Sequence, residues 1–300
     1  MRLRFVLLLA SLALAPFAHA QQLAITFDDL PVHGPLPPDE TRLEVAQSIL
    51  NTIKSEKLPP IYGFVNGVRL VEAPSTAAVL KAWADAGQPL GNHTYEHLDL
   101  NNLTPAQFEE QIEKNEPILK QYGGNFDWRY LRYPFLHEGD TVEKRRAVRA
   151  WLAAHNYKIA EVNMDFGDYL FNAPYARCVA KHDDASIKQL HDLYLSTADQ
   201  FIPVYRTLSK EAYGRDIPYV LLLHIGAFEA RMFPELIALY HSRGFTFVTL
   251  QEAQSDPAYN DDADIGLPTG GAQLEHLAAA RKLPFPHATQ PEKLLDGICR

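Results

Sequence analysis

Leu23-Ala-Ile-Thr-Phe27, running straight into Asp28-Asp29, is the stretch on which the reading of the whole chain turns. It is a short apolar, β-rich run that stops at two acids, the pattern of a buried strand with polar residues at its C-terminal end. Outward from it the same kind of run recurs at Ile61–Val65, Pro89–Gly91, Arg129–Tyr133, Lys158–Val162, Tyr219–Ile225 and Phe245–Leu250. Helical signals fill the intervals. Thr41-x-x-Glu44 is a capping box ahead of Leu43, Val45, Ala46 and Leu50. Ser75 to Ala86 reads as a helix stopped by Gly87, and Thr104-Pro105-x-Gln107 joins an N-cap, a first-turn proline and a capping-box glutamine. Thr141 to His155, Asp183 to about Leu208, and Phe233 to Ser242 closed by Gly244 complete the set.

Strand–helix alternation on this scale predicts parallel strands joined by helical crossovers. No Gly-x-Gly-x-x-Gly follows the first strand, so an open dinucleotide-binding sheet loses its main support. The expectation is an α/β fold, a distorted or incomplete (β/α) barrel of about seven parallel strands. It would span residues 21–254, with residues 255–300 as a C-terminal extension packed on the barrel. That extension opens Asp/Gly/Pro-rich from Ser255 to Gly271, and continues as a short helical stretch and a proline-spaced tail.

At 300 residues, 47% hydrophobic and 22% charged, the composition is globular and excludes disordered and collagen-like classes. Met1-Arg-Leu-Arg, the apolar run Phe5 to Leu14 and Ala18-His19-Ala20 are laid out as a secretory signal peptide over residues 1–20. The expected mature chain starts at Gln21, is exported to the periplasm or beyond, and keeps no membrane insertion. Losing Arg2 and Arg4 takes the formal charge from −9 to −11, which gives no attraction for nucleic acid. Cys178 and Cys299 are too few for a disulfide scaffold; they can pair and pin the C-terminus, but their separation in sequence sets no distance.

In a parallel barrel, ligands sit at the C-terminal ends of the strands. Five expected strand ends carry chemistry: Asp28-Asp29, then Asn92-His93-Thr94-Tyr95-Glu96-His97, Arg132-Tyr133-Pro134-Phe135, Asp165-Phe166-Gly167-Asp168-Tyr169, and Leu222-Leu223-His224. His93 and His97, four apart, would lie on one face of a helical turn and share a metal ion, with Asp29 as the third ligand. Two histidines and one carboxylate leave positions open for water and substrate, and accept zinc, cobalt, nickel or manganese. Adjacent strand residues face opposite ways, so Asp28 and Asp29 can serve one site only where the strand bends. A glycosidase acid pair needs carboxyls straddling a sugar bond, so one metal ligand and one base is the more economical assignment. Arg132 would keep the base ionised, and a carboxylate from Asp165 or Asp168 would favour the imidazolium of His224, the form that donates a proton.

Thr26-Phe27-Asp28-Asp29, His93-Thr94-x-x-His97, Arg132-x-Pro134, the Asp165/Asp168 segment and Leu222-x-His224 resemble, in order, the five motifs of the polysaccharide deacetylase family. The resemblance covers roughly residues 23 to 250. It implies a distorted (β/α) barrel and a divalent metal, usually zinc, hydrolysing N-acetyl or sometimes O-acetyl groups on sugars. It implies Asp28 as catalytic base, Asp29, His93 and His97 as metal ligands, Arg132 orienting the base, and His224 as general acid supported by an acid of the fourth motif. Leu30 and Leu136 stand where the family has glycine, and Tyr169 where it often has tryptophan, so a substrate groove of altered shape is expected. The expected partner is an N-acetylated glycan, peptidoglycan or chitin-like. An O-acetyl ester or small amide is the alternative substrate, and a non-catalytic glycan-binding relative the third reading.

Overall fold

The computed structural model describes residues 21–286 and 288–300, so the signal-peptide reading of residues 1–20 lies outside the described residues. Among the described residues seven strands form: β1 (Gln21–Leu30), β2 (Tyr62–Val65), β3 (Leu90–Asn92), β4 (Tyr130–Leu131), β5 (Lys158–Ile159), β6 (Tyr219–His224) and β7 (Phe245–Phe247). All pair in parallel, in the order β5-β4-β3-β2-β1-β6, with β7 added to β1. Leu23 is in register with both Tyr219 and Phe247, so β7 must occupy the edge of β1 that β2 takes further along. The ladder between β1 and β6 runs from Leu23↔Tyr219 to Asp28↔His224. Register alone therefore sets Asp28 and His224 side by side, although 196 positions separate them in the chain.

The sheet curls until its ends meet. Beyond β5 the chain bends towards β6, where Met164 bridges Leu221 and the Asn163 and Met164 N–H groups donate to the Val220 carbonyl. This is a distorted barrel, joined on that side by one bridge and not a full ladder. The run expected to be a strand from Lys158 to Val162 accordingly ends at Ile159. Its remaining residues are buried, but Asn163 Oδ1 accepts from the Val220 N–H and breaks the regular pairing. The run from Phe245 stops at Phe247 for another reason: Thr249 and Glu252 form a capping box that starts a helix at Leu250.

Both capping boxes read from the sequence are made, Thr41 with Glu44 and Thr104 with Gln107. Asp183 caps the long Asp184–Tyr213 helix, which runs past Leu208 to a left-handed Gly214 (φ 69°). The helix expected from Phe233 begins instead at Ala227, its start held by the Asn172 side chain accepting from the Phe228 N–H. Apolar faces of these helices pack on the sheet; Phe27, for example, meets Trp83 and Phe233 edge-on in the core.

The C-terminal residues pack against this frame. Gln273 N–H donates to the Val162 carbonyl, Arg177 donates to the Ile298 carbonyl, and Cys178 is disulfide-bonded to Cys299. The bridge closes a loop of 121 positions, and removing a cross-link of that span costs about 2–5 kcal/mol of stability. A lower denaturation midpoint is expected for protein carrying Cys178→Ser and Cys299→Ser, and for the parent under reductant. Equal midpoints with and without reductant would contradict it.

Candidate active site

β1 ends by breaking its own alternation. Asp29 has φ 65°, and this left-handed residue turns the chain so that both carboxylates line one cavity of about 840 Å³. Asp28 is buried and accepts from Arg132 Nη1 through both oxygens, at 3.0 and 3.2 Å. The guanidinium is fixed in turn by Nε to the Ala160 carbonyl (2.8 Å) and Nη2 to Thr26 Oγ1 (3.1 Å). Such a buried, fully engaged arginine orients a carboxylate as well as neutralising it.

Asp29, His93 and His97 converge, one ligand atom of each lying within 4.8 Å of the others. Asp29 Oδ1 is 3.5 Å from His93 Nε2 and 3.5 Å from His97 Nε2. Ligand atoms about 2.0–2.2 Å from one tetrahedral ion stand roughly that far apart, so the set fits a divalent cation. His93 Nδ1 is 2.8 Å from the Arg132 carbonyl; donating there, it leaves Nε2 as the free lone pair. The helical turn expected for the two histidines is corrected. The segment is a loop, with Thr94 (φ 62°) and His97 (φ 56°) left-handed, conformations that no α-helix contains. Asn66 holds the loop by donating to the His93 and Thr94 carbonyls. The two rings still meet, edge to face at 4.7 Å.

His224 Nδ1 lies 2.8 Å from Asp168 Oδ1, and the His224 backbone N–H donates to Asp168 Oδ2 at 2.7 Å. Of the two acids read as its support, Asp168 is the one beside it. Asp165 Oδ1 accepts from the Gly167 N–H and the residue lines the cavity.

Burial raises Asp28 to about 6, against the opposing pull of Arg132. Burial would likewise raise Asp29, but the His33 hydrogen bond and the surrounding imidazoles hold it well below the usual carboxylate range. Burial lowers His93 and His97 to about 4, which keeps both neutral, as ligation requires. For His224 burial acts downward and loses to the Asp168 carboxylate, which brings it up to about 10. Asp168→Asn is therefore expected to lower the pH at which His224 gives up its proton. A pH titration of the His224 ring by NMR checks this; an unmoved midpoint would contradict it.

His33 was not singled out by sequence reasoning. Its Nδ1 is 2.8 Å from Asp29 Oδ2, which turns the other oxygen toward the histidine pair, and its ring packs on His224 at 4.8 Å. The signal was its position four after Asp29, across a turn that the sequence alone leaves unshaped. Leu30 and Leu136 part company. Leu30 is fully buried in the core, so it does not narrow the groove, whereas Leu136 lines the cavity. Phe135 is exposed and stands edge-on to His97 at 4.6 Å, and Tyr169 faces His224 at 5.3 Å. Also unforeseen, residues of the C-terminal extension, among them Gly270, Glu275 and Gln290, form part of the cavity wall.

A curled parallel α/β barrel with a two-histidine, one-carboxylate cluster at the C-terminal rim defines the structural class. Residues 18–153 match the family model described as polysaccharide deacetylase. That match and the deacetylase relatives support the polysaccharide deacetylase family for this part of the chain. It is 28% identical over 148 residues to a peptidoglycan-N-acetylglucosamine deacetylase of Bacillus cereus, covering 49% of this chain and 46% of that protein. It is 28% identical over 158 residues to a chitin deacetylase of Colletotrichum lindemuthianum, covering 50% and 54%. The chain thus spans about half the length of the curated relatives it matches. The solved structure of the chitin deacetylase from Colletotrichum lindemuthianum superposes with a TM-score of 0.53 at 23% identity, over 77% of this chain and 86% of that one. A CE4 family pseudoenzyme from Bacillus anthracis gives 0.54 at 15% identity, over 78% and 66%. Both likenesses concern the fold.

Proposed function

We propose that this chain is an exported, metal-dependent deacetylase that removes N-acetyl groups from a glycan of the peptidoglycan or chitin type. One observation carries the reading: Asp28 held by Arg132, the Asp29–His93–His97 cluster, and His224 held by Asp168 all meet at one cavity. A glycan-binding relative without turnover would need none of these pairs, and the complete set favours catalysis.

Asp29, His93 and His97 would hold a divalent ion such as zinc, which when bound would supply Lewis acidity at the acetyl carbonyl. Asp28, whose Oδ2 is 3.6 Å from His93 Nε2, takes the proton of the attacking water as the new C–O bond forms. Arg132 keeps the carboxylate anionic and aimed. The Phe135 N–H, at the turn whose Leu136 and His137 N–H groups are already engaged, would hold the oxyanion. His224 then delivers its proton to the leaving nitrogen as the C–N bond breaks; an amide needs this more than an ester does. Asp28 is ionised above about 6 and His224 protonated below about 10, so both are in working form between those limits.

Acetate release from N-acetylglucosamine oligomers and from O-acetylated xylan tests the reading, with chelated and zinc- or cobalt-restored samples. Metal-dependent release from the N-acetyl substrate is expected. Release from the ester alone would move the same machinery to ester substrates, and silence on both with metal bound would overturn the deacetylase assignment.

A further inference from the structure

The cavity has a wall that lies outside the matched family region. Gly270, Gly271, Glu275 and residues 288–290 and 292 line it, between the turn after β4 and the turn after β5. At one end the Pro268 carbonyl accepts from Asn101 Nδ2, and Gly270 lies so close to the Phe135 backbone that an added Cβ would come within 2.0 Å of its carbonyl oxygen. At the other, the Gln290 side chain covers Gly167, where an added Cβ would meet it at 2.6 Å. Between them the Tyr205 hydroxyl joins Glu275 Oε1 (3.1 Å) to the Asp165 carbonyl (2.8 Å). The Cys178–Cys299 bridge ties down the end of the same segment.

We propose that this segment closes one end of the cavity, so that the site takes a short N-acetylated oligosaccharide or the terminal unit of a chain, not an interior unit of a long polymer. The proposal rests on the deacetylase reading and deepens it. A polymer strand must enter and leave past the reacting sugar, which requires a groove open at both ends. Here residues of the C-terminal segment contact both neighbouring strand-end turns, Gly270 at Phe135 and Gln290 at Gly167, and so stand across one end of the cavity in this reading. The volume, about 840 Å³, falls within the range of about 300–1,000 Å³ of clefts that enclose a small ligand.

The test measures binding of N-acetylglucosamine monomer through hexamer by calorimetry to zinc-loaded protein carrying Asp28→Asn, and maps by mass spectrometry which unit the zinc-loaded parent deacetylates. Affinity is expected to level off after the first few units, with the acetyl group lost from a terminal residue. Gln290→Ala with Glu292→Ala, both at the surface end of the wall, should restore a rise for the hexamer of about tenfold, about 1.4 kcal/mol. Affinity that climbs with every added unit, with interior units deacetylated by the parent, would overturn the closed end and leave the deacetylase reading intact. No binding of any oligomer, with zinc retained and no acetate released by the parent, would overturn the glycan reading itself and the closed end with it.

Discussion

Zinc-loaded protein carrying Asp28→Asn should turn over an N-acetylated glycan more slowly than the parent by a factor on the order of 10²–10⁴. The amide side chain keeps the shape of the carboxylate and one oxygen for Arg132, but cannot accept a proton from water at any working pH. The loss should fall on kcat, because proton transfer belongs to the transition state and not to binding of the sugar. Removing the charge also leaves Arg132 as a buried cation, which costs about 3–5 kcal/mol where no water can reach it. Turnover should therefore be compared only in samples shown by circular dichroism to be folded and by elemental analysis to hold metal. Near-normal kcat in such samples would remove Asp28 from the role of base.

His97→Ala should abolish metal-dependent acetate release and, independently of activity, the stabilisation that zinc confers. Two ligand atoms remain after the change, Asp29 at the end of β1 and His93 in the loop after β3, too few to hold the ion against water. An ion that binds only the folded chain adds about 2.7 kcal/mol at a hundred times its dissociation constant, so the parent should melt at higher temperature with zinc than with chelator. The variant should show no such difference. His97 suits this test because it is partly exposed, whereas His93 is buried and braces the Arg132 carbonyl, so its loss would mix folding with ligation. A zinc-dependent shift that survives in the variant would mean that the ion sits elsewhere.

Much of this molecule could be read in the chain because the signals are local. Strand runs, capping boxes at Thr41 and Thr104, and the stop at Gly87 depend on residues within a few positions of one another. Errors cluster where a local signal met a distant partner. Lys158–Val162 is apolar enough for a strand, yet the chain leaves the ladder to meet β6. His93 and His97 have helical spacing but lie on a loop shaped by Asn66 and Asn92, residues that bond backbone groups of that loop.

The same division runs through the site. Residue types and their order are legible in the chain: two acids ending the first strand, two histidines after the third, an arginine after the fourth and a histidine ending the sixth. Their gathering on one rim is legible too, since every parallel strand delivers its C-terminal end to the same side. Long-range packing settles which of two acids stands beside His224, that His33 turns Asp29, that Cys178 meets Cys299, and that the C-terminal segment forms part of the cavity wall. Periodicity and capping act over a turn or two of chain. These later choices are distances between segments far apart in sequence, set by strand register, by the closing of the sheet between Met164 and Leu221, and by the packing of helices over it.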